Sequence, residues 1–372
     1  GTVSVFEVAG GLDLRGEGRD TIRDNVERIA FTDRTLTFDQ LRALAAPATI
    51  TGTDEGETLD GTSSSEVIRA LGGNDVIRPG TGSDTVEGGP GSDMIDFSGQ
   101  PLVQGRGAGD FLLDIDLAQG RADVFGPDLH QFTGIENVTG TEWEDRLKGD
   151  GSANRLIGLA GDDVIDGGEG ADTINGGAGD DSIAGGPSDN DQRDVIFAGT
   201  GDDRADGGAG NDQLFGQEGN DTLAGGFGAD ELQGQQGNDV ITGEALSDLV
   251  YGGEGNDFVN GGFGYDRING GDGADRFFHL GIADHGSDWV QDYDAAEGDV
   301  LLFGNVSATA AQFQVNFAHT ATPAGERSGD DAVQEAFVIF RPTGQIMWAL
   351  VDGAGQDEIL LRIDGQEFDL LT

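Results

Sequence analysis

Carboxylates recur every nine residues through the middle of this 372-residue chain. The sixth position of a nine-residue unit holds Asp145, Asn154, Asp163, Asp172, Asp181, Asp194, Asp203, Asp212, Asp221, Asp230, Asp239, Asp248, Asp257, Asp266 and Asp275. A shorter run places Glu57, Glu66, Asp75, Asp84 and Asp93 at the same spacing. Carboxylates can serve as acid–base pairs or hold hard cations through oxygen. With 70 acids in the chain, acid–base pairs can be drawn almost anywhere and single out no site. Other catalytic patterns fare no better. His130, His279, His285 and His319 form no H-E-x-x-H, there is no G-x-S-x-G, and Lys148, the only lysine, follows no phosphate-binding loop. His279 and His285 read as ordinary surface or packing residues. The chain reads as a non-enzyme, and cation binding is the chemistry left.

The elements that must position these acids are visible in the rest of the unit, G-G-x-G-x-D-x-U-x, where U is apolar. It is clearest in GGAGNDQLF from Gly207, GGEGNDFVN from Gly252 and GGDGADRFF from Gly270. Fifteen units run from Gly140 to Phe278, one with an insertion in GGPSDNDQRDVIF, and five run from Gly52 to Asp96. The eighth position is apolar in all twenty, from Leu59 and Ile68 to Ile268 and Phe277. With 36% apolar residues, chance would give this about once in 10⁹ trials. Each unit is therefore a glycine turn followed by a very short strand whose eighth residue points inward. One unit cannot bury that side chain alone, so units must stack. With two units per coil turn and strands ~4.8 Å apart, the long block makes a rod roughly 36 Å long.

Stacking aligns the acids in two rows. The formal charge is −50, with 20 basic residues, and a bare row of like charges about 5 Å apart is strongly unfavourable. A hard divalent cation between turns removes the problem. Ca²⁺ takes six to eight oxygens, and glycine turns expose carbonyls beside the carboxylates. Without cation, repulsion should leave the rod largely unfolded. The same charge argues against nucleic-acid binding. No run of eighteen apolar residues is present to span a membrane, and the absence of cysteine excludes thiolate zinc sites and disulfides.

These nonapeptides resemble the hemolysin-type calcium-binding repeats of the RTX family. The resemblance implies an all-β fold, a parallel β-roll or β-solenoid, with Ca²⁺ held between turns n and n+2 on one edge by their aspartates and loop carbonyls. It makes Asp75, Asp84, Asp93, Asp145, Asp163, Asp172, Asp181, Asp194, Asp203, Asp212, Asp221, Asp230, Asp239, Asp248, Asp257, Asp266 and Asp275 the expected metal ligands, with multiple Ca²⁺ ions and at most about sixteen. The turns with Asn154, Glu57, Glu66, GEALSD and GTSSSE depart from the pattern. Asp189 and Asp191, in the insertion, could make an irregular extra site but read better as a solvated bulge.

The flanks divide as follows. Residues 1–50 are expected to be the β-rich tail of an upstream region, and the chain reads as the C-terminal part of something longer. Residues 51–96 form the first block. Residues 97–139 hold FLLDIDLAQGRADVFG, a strand–turn–strand insertion past which the rod should continue. Residues 140–278 are the main roll. Residues 279–303 should supply capping strands, with Asp288, Asp292, Asp294 and Asp299 as acidic turns or a further calcium site. Residues 304–372 are expected to be a β-rich domain with its own core, built from hairpins turning at Pro342-Thr343-Gly344 and Asp364-Gly365. By resemblance, this domain carries the secretion signal for a type I exporter. The functional expectation is a secreted or cell-surface module that folds on reaching high calcium and supports export and stability of a larger protein. The alternatives are a structural rod of an adhesin or surface layer with self-association or cell-surface contacts, and the tail of a secreted enzyme whose catalytic domain lies upstream.

Overall fold

The computed structural model describes residues 47–100, 111–124, 126, 128–188, 192–282, 285–319 and 333–372, and the backbone of five short strands before them. Those five form an antiparallel set, Ser4–Val8, Gly11–Arg15 and Arg19–Ile22, and a pair, Arg28–Ala30 with Thr35–Thr37.

From Ala48 onward the chain winds into a parallel β-solenoid. Successive units alternate between two sheets, so each strand pairs with the strand two units away. In the first sheet Arg204–Ala209 lies on Thr222–Phe227, which lies on Val240–Ala245. In the second, Gln213–Glu218 lies on Glu231–Gln236, which lies on Leu249–Glu254. The second sheet stacks thirteen parallel strands, from Thr58–Asp60 to Gln345–Leu350. At ~4.8 Å per strand they span about 58 Å.

Side-chain alternation explains the packing. In Thr222–Phe227, Leu223 and Gly225 point inward while Thr222 and Ala224 are half-exposed. All twenty eighth-position residues are buried, and they join one contiguous core. The second position of most units has positive φ, which glycine adopts at little cost. At five units where another residue stands there the backbone keeps that conformation: Leu71, Leu159, Gln217, Gln235 and Glu244 have φ between 74° and 86°. Leu246, at a fourth position, has φ 83° and is 63% exposed. It carries left-handed strain without burial to offset it. Leu246→Gly should therefore stabilise the calcium-loaded fold by about 0.5–1 kcal/mol, read as a rise in thermal midpoint.

The insertion keeps the rod continuous, as expected. In the second sheet Met94–Asp96 pairs directly with Asn137–Thr139, which pairs with Arg155–Ala160. In the first sheet Leu129–Thr133, Arg121–Val124 and Leu113–Asp116 lie between Thr85–Glu87 and Asp145–Lys148, joined by antiparallel pairings. Ile115, Ala122 and Phe132 fill the same core.

The far end corrects one expectation. Hairpins do form between Glu335–Phe340 and Gln345–Leu350, and between Leu360–Ile363 and Gln366–Asp369. They do not enclose a separate core. Ala349 pairs in parallel with Trp289, Leu361 with Leu301, and Trp348 and Leu350 belong to the solenoid core. An edge strand added to a parallel stack continues it, whatever its composition. No helix among the described residues is long and apolar enough to cross a membrane.

Candidate metal sites along the carboxylate rows

The sixth-position aspartates line the inside of the turns instead of an open edge. Asp163, Asp203, Asp221, Asp239, Asp257 and Asp275 are all at most 2% exposed. Alternation dictates this, because positions six, eight and one share the inward face. One carboxylate oxygen has a fixed task. The Asp163 N–H donates to Asp181 Oδ1 at 2.8 Å, Asp203 N–H to Asp221 Oδ1 at 2.9 Å, and Asp221 N–H to Asp239 Oδ1 at 2.8 Å. The same bond joins Asp212 to Asp230, and Asp257 to Asp275. Turns n and n+2 are thus linked through their aspartates even where the insertion lengthens the step to 22 residues, as between Asp172 and Asp194.

The second oxygen is different. Oδ2 of Asp75, Asp93, Asp163, Asp181, Asp203, Asp221, Asp230, Asp239, Asp248, Asp257 and Asp275 is buried without a hydrogen-bond partner. For Asp163, Asp181, Asp221, Asp230, Asp239, Asp248 and Asp257 it faces the first-position glycine of its own unit and a carbonyl of the next turn on that edge. A Cβ placed on Gly225 would lie 2.6 Å from Asp230 Oδ2 and 2.8 Å from Gly243 O. Two oxygens and no donor therefore converge on one small space. A buried acceptor without a donor is costly, and an anionic one more so.

Burial raises these carboxyl groups, working against the N–H bond each accepts: Asp163 to about 9, Asp248 to about 8, Asp181, Asp221 and Asp275 to about 7, and Asp203, Asp230 and Asp239 to about 6, from an ordinary 3.8. Outside the turn, backbone and side-chain bonds from Asn220 hold the exposed Asp202 below its ordinary value.

The donor set fits a hard divalent cation: unpartnered carboxylate oxygen, carbonyl oxygen, no nitrogen and no sulfur. Among the described residues no group of three or more His, Asp or Glu side chains could hold a metal by itself. Carbonyls must therefore complete any site, as glycine turns allow. Asp84 differs, because His130 Nδ1 stands 3.1 Å from its Oδ2. Asp145 differs too, accepting from the Thr141 N–H and hydroxyl. Asp172, Asp194 and Asp212 keep the Oδ1 ladder, with Asn154, Asp172 and Asp194 N–H as the respective donors. Burial raises Asp266, against hydrogen bonds from the Asp248 backbone and the Asp288 side chain that lower it, whereas burial and the neighbouring Asp266 together hold Asp288 far above its ordinary value. Asp189 and Asp191 lie outside the described residues.

Several residues of the rows escape the nine-residue spacing. Glu136 accepts from the Asp93 N–H at 2.9 Å, and Asp299 accepts from the Asp275 N–H at 2.9 Å. Both occupy sixth-position places, with Val138 and Leu301 buried two residues on. Asp288 does the same ahead of Val290, which pairs with Ile268. Residues 279–303 therefore supply two more irregular turns. The signal that finds them is an acid two residues before a buried apolar residue, without the glycines. Asp292 accepts from the Gly270 and Gly271 N–H groups, so both its oxygens are occupied. His279 and His285 are buried and pack on each other at 4.5 Å between ring centroids, His279 also against Trp348 at 5.6 Å. A second ladder lies outside the turns: Asp180, Asp202, Asn220, Asn238 and Asn256 each donate N–H to the side-chain oxygen one turn before.

A parallel β-solenoid with rows of buried, partly unpartnered carboxylates under glycine turns defines a cation-binding repeat protein. The repeats are RTX calcium-binding nonapeptide repeats: that family profile matches residues 51–96, 139–174, 148–183, 188–223, 215–250 and 251–281, about half of the chain. No curated protein matches the chain. Among solved structures it is similar to the extracellular lipase LipA from Serratia marcescens, at 17% identity and a TM-score of 0.20, covering 54% of this chain and 33% of that one. The match thus spans about a third of the lipase.

Proposed function

We propose that this chain is a calcium-folded module of a secreted protein. In this reading it stays unfolded where calcium is low, leaves through a type I exporter, and folds outside the cell, where it supports the stability of the protein it belongs to. The observation that carries the reading is the row of buried Oδ2 atoms without hydrogen-bond donors, those of Asp163, Asp181, Asp221, Asp230, Asp239, Asp248 and Asp257 beside a carbonyl of the next turn. The ligands would be Asp75, Asp93, Asp163, Asp172, Asp181, Asp194, Asp203, Asp212, Asp221, Asp230, Asp239, Asp248, Asp257, Asp266 and Asp275, with turn carbonyls. When bound, the cation supplies the positive charge that buried carboxylates and converging carbonyls require. The chain's own part is to hold Oδ1 fixed through the N–H of the neighbouring turn, so that Oδ2 is aimed before any ion arrives. Export and an extracellular setting follow from the family's habit and from the low-calcium and high-calcium states the charge distribution predicts.

Asp221→Ala tests the ligand assignment. It removes the acceptor of the Asp203 N–H and one ligand from each of two neighbouring sites. A buried N–H left without a partner costs about 1–3 kcal/mol. The expected result is a calcium titration shifted to higher concentration with fewer ions bound. A titration identical to that of the unaltered chain would refute the assignment.

A further inference from the structure

Four turns close their sixth-position side chain without any ion. The second-position N–H donates to it in each case: Thr53 to Glu57 Oε1, Thr62 to Glu66 Oε2 at 3.1 Å, Thr141 to Asp145 Oδ2, and Asp150 to Asn154 Oδ1 at 2.8 Å. Thr62 and Thr141 add their hydroxyls, Thr141 at 2.9 Å from Asp145 Oδ1. This is the local capture of an acceptor by backbone and hydroxyl that threonine favours in turns. The backbone differs accordingly. Thr53, Thr62, Thr141 and Asp150 are outside the left-handed region, whereas the second position is left-handed at Leu71, Gly80 and Gly89 in the first block, and at Leu159, Gly168 and Gly177 in the second. In these four turns the second-position N–H points at the side chain, whereas the left-handed backbone at Leu159, Gly177, Gln217, Gly226, Gln235 and Glu244 leaves Oδ2 of the sixth-position aspartate without a hydrogen bond.

Asn154 goes further. Its Nδ2 donates to Glu136 O at 2.8 Å, a carbonyl of the preceding turn on its own edge. An amide donor stands where an aspartate would present another oxygen. The four closed turns are the first two of each block, and three of them carry Glu57, Glu66 or Asn154 in place of the sixth-position aspartate.

We infer that the first two turns of each block are ion-independent, with threonine or asparagine donors in the cation's place, and that calcium dependence begins at Asp75 in the first block and Asp163 in the second. This rests on the calcium reading above and sharpens it: second-position φ and its N–H decide which turns take an ion. The closed turns give the ion-free chain a preformed strand edge on which the next turns can stack.

The test counts calcium. The unaltered chain, Asn154→Asp and Thr141→Gly are dialysed against millimolar Ca²⁺ and bound metal is measured by elemental analysis. Each variant should bind about one ion more per chain than the unaltered protein: Asn154→Asp puts a carboxylate oxygen where the amide donor stands, and Thr141→Gly removes the hydroxyl donor and frees the backbone to turn left-handed and carry its N–H away from Asp145 Oδ2. Equal counts in a calcium-binding parent and both variants overturn the inference. A parent that binds no calcium overturns the underlying calcium reading instead. Hydrogen exchange of the unaltered chain in chelator provides a check independent of any substitution. The amides of Thr141 and Asp150 should exchange at least tenfold more slowly than those of Gly208 and Gly226; equal rates would also overturn it.

Discussion

In chelator at pH 8 the stacked turns between Arg155 and His279 should be unfolded, and lowering the pH to 5 in the same chelator should restore much of their β structure. The first half follows from charge: buried ionised carboxylates with no donor at Oδ2 are placed where ionisation is least favourable. The second half follows from the sign of the shifts. The folded-state values of about 6 to 9 lie above the ordinary 3.8 of an unfolded aspartate. Protons therefore bind the folded form more tightly. Their stabilisation is complete below 3.8 and is lost as pH rises through the folded values. With calcium bound the slope reverses, because protons then compete with the ion for the same oxygens. Acid therefore releases calcium from the loaded rod and destabilises it, whereas it stabilises the ion-free form. Far-UV circular dichroism across pH 4–9, with EDTA and with Ca²⁺, reads both slopes. A loss of β signal on acidifying the chelated protein would show that the raised carboxyls do not govern its stability.

Gly225→Ala should be strongly damaging even though it leaves the backbone conformation allowed. Gly225 is not left-handed, so alanine meets no φ penalty there. Its Cβ would instead sit 2.6 Å from Asp230 Oδ2 and 2.8 Å from Gly243 O, in the space where those oxygens converge. Relieving the overlap moves the carboxylate or separates two turns. Overpacking of this kind costs about 1–3 kcal/mol, and displacement of a ligand oxygen adds the loss of that site. The expected result is one calcium fewer and a clearly lower thermal midpoint. Gly151→Ala is the control, since a Cβ there meets nothing within 4 Å and the backbone is again allowed. If both variants melt like the parent, the first-position glycine is not part of a cradle.

Most of the architecture was legible because the solenoid repeats its physics with its sequence. Leu223, Ile241 and Val259 are apolar at one spacing because each fills the same inward place one turn further on. The paired aspartates, Asp203 with Asp221 and Asp257 with Asp275, were legible for the same reason. Direction was not. Spacing shows that Asp221 recurs, but only alternation along the folded strand shows that it points inward. Glu136 and His130 were missed as members of the rows, and Asp288 and Asp299 were read only as acidic turns or a further calcium site, because their loops have irregular lengths and few glycines. Stacking requires the strand register to be kept, as in Ile268 with Val290 and Phe277 with Leu301, and leaves loop length free. The continuation of the core into Trp348 and Leu361 was hidden similarly, since hairpin composition reads as a separate unit.

The spacing of the bonds has a mechanical corollary. Each turn is fastened only to the turns before and after it, through partners 18 residues apart, as Asp221 is to Asp203 and Asp239. Tension on the chain ends then loads one turn at a time, and the stack peels without shearing as a whole. Each released turn yields about 60 Å of slack, at ~3.4 Å per residue, so the rod works as a stepwise extensible tether.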